Sequence, residues 1–156
     1  VMVAGRSGSA FAAAIGTMKL NEEIDALQVM GLNPNQILIL PRVLGLTIAM
    51  PFLTMFANAA GLAGGAFICI MVLDISLVQF YERVASSAGM MDLWVGLIKA
   101  PFFALLISAT GTLRGMQVSG SAEELGRLTT LAVVQSIFLI IITDAFFTIL
   151  FSRMGI

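Results

Sequence analysis

"VLGLTIAMPFLTMFANAAGLAGGAFICIMVL", residues 43–73, runs for 31 residues without a charged side chain. At 1.5 Å per residue a straight helix of that length reaches about 46 Å, against about 30 Å of bilayer hydrocarbon. The stretch therefore reads as a membrane span that tilts, bends or extends past one interface. Pro51 offers a place to bend, and the small residues of "NAAGLAGGAF" (58–67) permit close approach of another helix.

Working outward, two more spans follow. One runs from 93 to 113, with Lys99 and Pro101 near its start; the other runs from 128 to 152, interrupted by Asp144. The first residues, "VMVAGRSGSAFAAAIG", read as the end of a helix already under way, so the chain is expected to be the C-terminal part of a longer protein. Composition agrees with lipid. Of 156 residues 59% are hydrophobic and 11% charged, against roughly 25% charged in soluble domains. The expectation is an all-α integral membrane fold over 1–156 as a single domain. It comprises three full transmembrane helices after the end of a preceding one, with a short helix before the first full span and an amphipathic helix after it.

Orientation follows from the basic residues in short loops. Arg6, Lys19 and Arg42 precede the first full span, and Arg114 and Arg127 flank the loop between the other two; residues 74–92 hold Arg83 against Asp74, Glu82 and Asp92. The first two segments are expected in the cytoplasm and 74–92 outside. In that outer loop Leu77, Val78, Tyr81, Val84, Ala85 and Ala88 recur at helical spacing opposite Gln79, Glu82, Arg83, Ser86 and Ser87. This pattern predicts an amphipathic helix on the membrane surface, either a connector or a docking element. In the inner loop, Ser121 followed by Glu124 has capping-box spacing and starts the last helix.

Much chemistry is excluded. Without histidine the common catalytic triads are impossible, and one cysteine (Cys69) leaves neither a disulfide framework nor a Cys/His metal site. No P-loop pattern is present, and a net charge of −1 argues against a nucleic-acid partner.

The polar exception is "NEEIDALQVMGLNPNQILILPR", residues 21–42. Asn21 can cap a helix whose first turn carries Glu22, Glu23 and Asp25, where acids complement the helix dipole. Ile24, Leu27, Val29 and Met30 supply apolar contacts, Gly31 ends the helix, and Asn33-Pro34 turns the chain into the next span. Such a helix either docks a soluble cytoplasmic protein or merely joins two spans.

The same residues carry a resemblance. "AGRSGSAFAAAIGTMKLNEEIDALQVMGLNPNQILILPRVL" (4–44) resembles the signature of the MlaE/YrbE family of ABC-transporter permeases. "LIKAPFFALLIS" (97–108) and "GSAEELGRLTTLAVVQSIFLIIITDAFFTILF" (120–151) are similar to later segments of that family. Ala14 stands where the family usually has Glu, and Glu23 where it usually has Gln. The resemblance implies a permease of the bacterial inner membrane that moves phospholipid between that membrane and the outer envelope. It implies that Glu22, Glu23, Asp25, Leu27, Met30 and Gly31 form the coupling helix seated on a cytoplasmic ABC ATPase. That partner would bind ATP and Mg, leaving this chain without cofactor or catalytic residues. Further implied partners are a second permease copy, an MCE-domain protein outside and a STAS-domain subunit. The rival from another class is a membrane scaffold that transports nothing.

Four further features stand out. Lys99, about 9 Å into its span by helix rise, either snorkels to the headgroups or meets a lipid phosphate in a cavity. Asp144 reads as a polar helix-packing contact rather than a proton relay. Gly5, Gly8, Ala12 and Gly16 form a small-residue stripe for close helix packing, with the dimer interface as one place for it. The ten methionines suit lipid-facing positions or a pocket for varied acyl chains.

Overall fold

A computed structural model describes the backbone at residues 1–87 and 90–154, and the side chains of these except 90–92 and 154. Ala88 of the expected amphipathic face, and the Asp92 side chain, lie outside the described residues. The described residues form six α-helices: α1 (Met2–Leu20), α2 (Glu23–Val29), α3 (Leu40–Leu73), α4 (Leu77–Ser87), α5 (Met90–Met116) and α6 (Ala122–Met154). Among the described residues three stretches, Asn35–Leu73, Leu93–Met116 and Ala122–Arg153, are long and apolar enough to cross a membrane. The all-α integral membrane class expected from hydropathy is the class observed.

α5 lies at the centre and packs on α1, α3 and α6, while α1 also packs on α6. Small residues make this possible. Ala4, Ala12, Ala100, Ala104 and Ala132 are almost fully buried, so backbones approach where side chains would otherwise hold them apart. A Cβ added at Gly111 on α5 would lie 2.7 Å from the Gly8 carbonyl oxygen on α1. One at Gly115 would lie 2.8 Å from Ile15 Cβ and 3.0 Å from the Ala12 carbonyl oxygen. The stripe Gly5, Gly8, Ala12, Gly16 packs within one chain, against α5 and α6, the close helix packing expected of it. Buried hydroxyls add no orphan polarity on α5: Ser108 donates to the Ala104 carbonyl at 2.8 Å and Thr112 to the Ser108 carbonyl at 2.7 Å.

Helix limits run past the apolar runs because charge counts against hydropathy but not against helix. α6 begins near Ser121, as expected, whose Oγ accepts the Glu124 N–H at 3.1 Å. The capping box is not reciprocal: Glu124 reaches further back and accepts from the N–H and hydroxyl of Ser119 at 3.0 and 3.1 Å. Glu123 and Glu124 sit in the first turn, where the dipole favours them. α3 is preceded without a break by a π-helical turn, Asn35–Ile39. Pro41 at the start of α3 explains it: proline has no N–H for the residue four back and its ring crowds that carbonyl, so the turn widens. Pro51 is accommodated within α3, which runs on to Leu73.

Beyond Met50 no residue of α3 is buried. After Asp74, which takes a left-handed conformation (φ 50°), the chain turns into α4. Phe80 and Val84 of α4 are half-buried, and Phe80 lies over Gly65 of α3. Leu77, Val78 and Tyr81 remain 63–73% exposed. The amphipathic helix is present, but Phe80, absent from the expected face, makes its contact with the bundle.

Candidate functional site

Two places on the bundle gather polar or exposed groups, at opposite ends. The first is α2. α1 stops when the Asn21 N–H bonds to the Thr17 carbonyl at 3.0 Å. Glu22 then adopts a left-handed conformation (φ 59°) and its carbonyl accepts the Ala26 N–H at 2.9 Å. This corrects the capping expectation. Asn21 closes α1 rather than opening α2, its side chain reaches Glu23 Oε1 at 3.4 Å, and Glu22 occupies the N-cap without a side-chain bond. Glu23 and Asp25 remain in the first turn.

The helix ends in a Schellman motif. The Leu32 N–H bonds to the Leu27 carbonyl and the Gly31 N–H to the Gln28 carbonyl, each at 3.0 Å. Gly31 has φ +75°, which glycine tolerates without the steric cost of a Cβ. Asn33 caps the following turn, its Oδ1 accepting the Asn35 N–H at 3.1 Å. Ile24 is the anchor, 2% exposed, and Leu27 is half-buried beside it. Glu22, Glu23, Asp25 and Gln28 are exposed, and Val29 and Met30 stand 89% and 65% exposed. The outward surface is thus acids followed by a bare apolar pair.

The base of α2 is knitted tightly. The Lys19 ammonium donates to the Met116 carbonyl at the C-terminus of α5, where a cation complements the helix dipole. Arg114 donates to Gln135 Oε1 at 2.9 Å and to Gln117 Oε1 at 2.8 Å. Val118, fully buried, fills the space a side chain at Gly16 would need, 2.8 Å from where its Cβ would stand. Sequence reading missed Val118, because a lone valine in a polar loop carries no pattern.

The second place is at the end opposite α2. Lys99 of α5 and Asp144 of α6 form an ion pair with Nζ and Oδ1 3.3 Å apart. The pair joins two residues that the sequence offered separately, and Asp144 makes the interhelical contact expected of it. Lys99 neither reaches for the surface nor stands free: its side chain is 13% exposed, against 55% for Asp144. Its ammonium also lies 5.9 and 5.6 Å from the ring centroids of Phe147 and Phe151, which stack on each other at 6.0 Å. These rings escaped the sequence reading. Their signal was present, since positions three and seven after Asp144 lie on its face of the helix. Next to the pair is a cavity of about 470 Å³ lined by apolar side chains, among them Val3, Met50, Phe103, Ile107 and Ile140, with Asp144 in its wall.

The geometry thus supplies a projecting helix on a stiff base at one end and, at the other, an ion pair flanked by aromatic rings beside a mainly apolar cavity. Comparison with known proteins follows the same line. The chain is 38% identical over 144 residues to Protein TRIGALACTOSYLDIACYLGLYCEROL 1, chloroplastic, of Arabidopsis thaliana, covering 92% of this chain and 41% of that protein. It is 36% identical to a probable ABC transporter permease protein of Synechocystis sp., over 94% of this chain and 56% of the relative. It is 35% identical to one of Rickettsia felis, over 98% and 59%. The chain spans roughly two-fifths to three-fifths of these relatives' lengths. The family described as Permease MlaE matches residues 1–150, and the chain, an integral membrane protein by its three spans, belongs to that permease family.

Proposed function

We propose that the protein is the membrane half of an ATP-driven phospholipid transporter, and that α2 is the element through which an ATPase drives it. The observation that carries the reading is the build of α2: anchored by Ile24, closed at Gly31, and presenting Val29 and Met30 bare at the base of the bundle. Apolar side chains that exposed on a short polar helix gain stability from a protein groove. The names of the relatives, ABC transporter permeases, support an ATPase as the occupant. ATP and Mg would then be bound by that partner.

On the same reading the permease works as two copies in a bacterial inner membrane, with an MCE-domain protein outside and a STAS-domain subunit on the cytoplasmic side. Closure of the ATPases would push on α2. The bonds joining α1 to α5 and α5 to α6 would pass that movement to the cavity beside Asp144. Lys99 is the group proposed to meet a lipid phosphate there, which requires the phosphate to compete with Asp144.

The test is recovery of the ATPase with the full permease carrying Met30→Arg. Membrane abundance should be normal, ATPase recovery lost and lipid-stimulated ATP turnover absent. Full recovery would reduce α2 to a connector. Recovery with no lipid stimulation in the unaltered complex would favour a scaffold over a transporter.

A further inference from the structure

The Lys99–Asp144 pair has an unequal shape. Lys99 is nearly enclosed, with its ammonium between one carboxylate and two ring faces, while Asp144 is more than half exposed and forms part of the cavity wall. A carboxylate beside stacked aromatic faces suits an ammonium ion, and here the protein's own lysine holds that place. Resting on the transporter reading above, we propose that the site takes an amine-bearing zwitterionic phospholipid by exchange of ion-pair partners. The lipid phosphate goes to Lys99, and the lipid ammonium takes the place of Lys99 against Asp144, Phe147 and Phe151.

Three physical points lead there. The pair lies inside both spans: Lys99 is six residues from Leu93 and Asp144 nine residues from Arg153, about 9 and 14 Å by helix rise. At such depth an unpaired charge is expensive. A zwitterion exchanges one ion pair for two and leaves no charge alone. An anionic headgroup of net charge −1, such as phosphatidylglycerol, can satisfy Lys99 but strands Asp144. The lysine stem has four rotatable carbons and can swing to a phosphate without moving α5. The apolar wall formed by Val3, Met50, Phe103 and Ile140 gives the acyl chains a surface below the headgroup.

The experiment uses the full permease complex with its ATPase in nanodiscs of equal phosphatidylethanolamine and phosphatidylglycerol with matched acyl chains. Retained lipid is read by native mass spectrometry. The unaltered complex should retain phosphatidylethanolamine over phosphatidylglycerol by about tenfold, the worth of roughly one charge-assisted hydrogen bond. Asp144→Asn should bring the ratio near one by losing the ethanolamine lipid. Phe147→Leu with Phe151→Leu keeps both charges and should lower the ratio while the complex stays assembled. Equal retention by the unaltered complex overturns the exchange, as does an unchanged ratio in the assembled aromatic variant. ATP-driven movement of both lipids at equal rates in proteoliposomes would sink the exchange and leave the transporter reading standing. Movement of neither lipid would sink both.

Discussion

The two ends of the bundle are built by opposite means. At the α2 end, glycine brings backbones together and polar side chains tie α1, α5 and α6: Gly111 sits under the Gly8 carbonyl, Lys19 bonds the end of α5, and Arg114 bridges to Gln135. At the other end Phe147 and Phe151 flank one ion pair, Phe102 and Phe103 pack on Phe147, and a cavity opens beside the pair. Close backbone packing has few alternative arrangements, whereas a lysine among rings has several at modest cost. The first end is suited to passing on a displacement and the second to changing what it holds.

The largest effect should come from breaking the stiff end. A Cβ at Gly111 meets backbone, which cannot rotate away, so Gly111→Leu has no room without separating α1 from α5. Overpacking of this kind costs about 1–3 kcal/mol and sometimes more. The variant should show reduced membrane abundance and a lower melting temperature, by at least several degrees. A matched substitution at Gly61, where a Cβ meets nothing within 4 Å, should leave the fold of this chain intact. Equal behaviour of the two variants would mean that the glycine contacts do not set the stiffness of that end.

The second effect separates attachment from packing. Met30→Arg places a charge on the exposed tip of α2, whereas Leu27 is half-buried against its own chain. A charge left unpaired in a protein groove costs several kcal/mol. ATPase recovery should therefore fall more than a hundredfold with Met30→Arg at unchanged melting temperature, while Leu27→Arg should lower both. A pull-down with a parallel melting curve distinguishes the two outcomes. If Met30→Arg lowers stability as well, α2 is part of the stiff end rather than an element mounted on it.

The third concerns the softer end. Lys99→Ala removes the partner of Asp144, whose carboxylate is more than half exposed rather than enclosed by the helices, so the bundle need not unfold. Lipid movement should drop about tenfold or more with ATPase recovery unchanged, as expected for loss of a charged contact worth about 1.5–3 kcal/mol. Full activity in proteoliposomes would leave the pair a packing device only.

The sequence made the spans legible because each is an apolar run longer than a bilayer half-crossing, and their number and order need no tertiary knowledge. It also placed the start of α6 correctly through Ser121, since a cap is a local device. The fate of the Gly5–Gly16 stripe was not legible: small residues announce close packing without naming the partner, and the partner glycines, Gly111 and Gly115, lie about a hundred residues away. The Lys99–Asp144 pair was hidden for the same reason, with each residue readable alone and the contact fixed by how α5 meets α6. Asn21 misled because two helices abut there, and a residue that can open one helix is used to close the other.

That junction carries the smallest prediction. Glu22 has φ 59°, a conformation that costs a residue with a Cβ roughly 1–2 kcal/mol and glycine almost nothing. Its side chain makes no cap bond and is exposed, so its charge contributes at most about 1 kcal/mol to any surface ion pair. Glu22→Gly should therefore raise the melting temperature slightly, by a few degrees at most, part of the gain being offset by the greater freedom of glycine in the unfolded chain. Glu22→Gln keeps the strained backbone, removes the charge, and should leave the melting temperature unchanged. If the ATPase groove reads the acidic first turn, both variants should weaken ATPase recovery by the same few-fold or less, since both lose the carboxylate. A loss with Glu22→Gly alone would mean that the fixed angle between α1 and α2, rather than the charge, is what the partner engages, and would extend the stiff end through Glu22 into α2 itself.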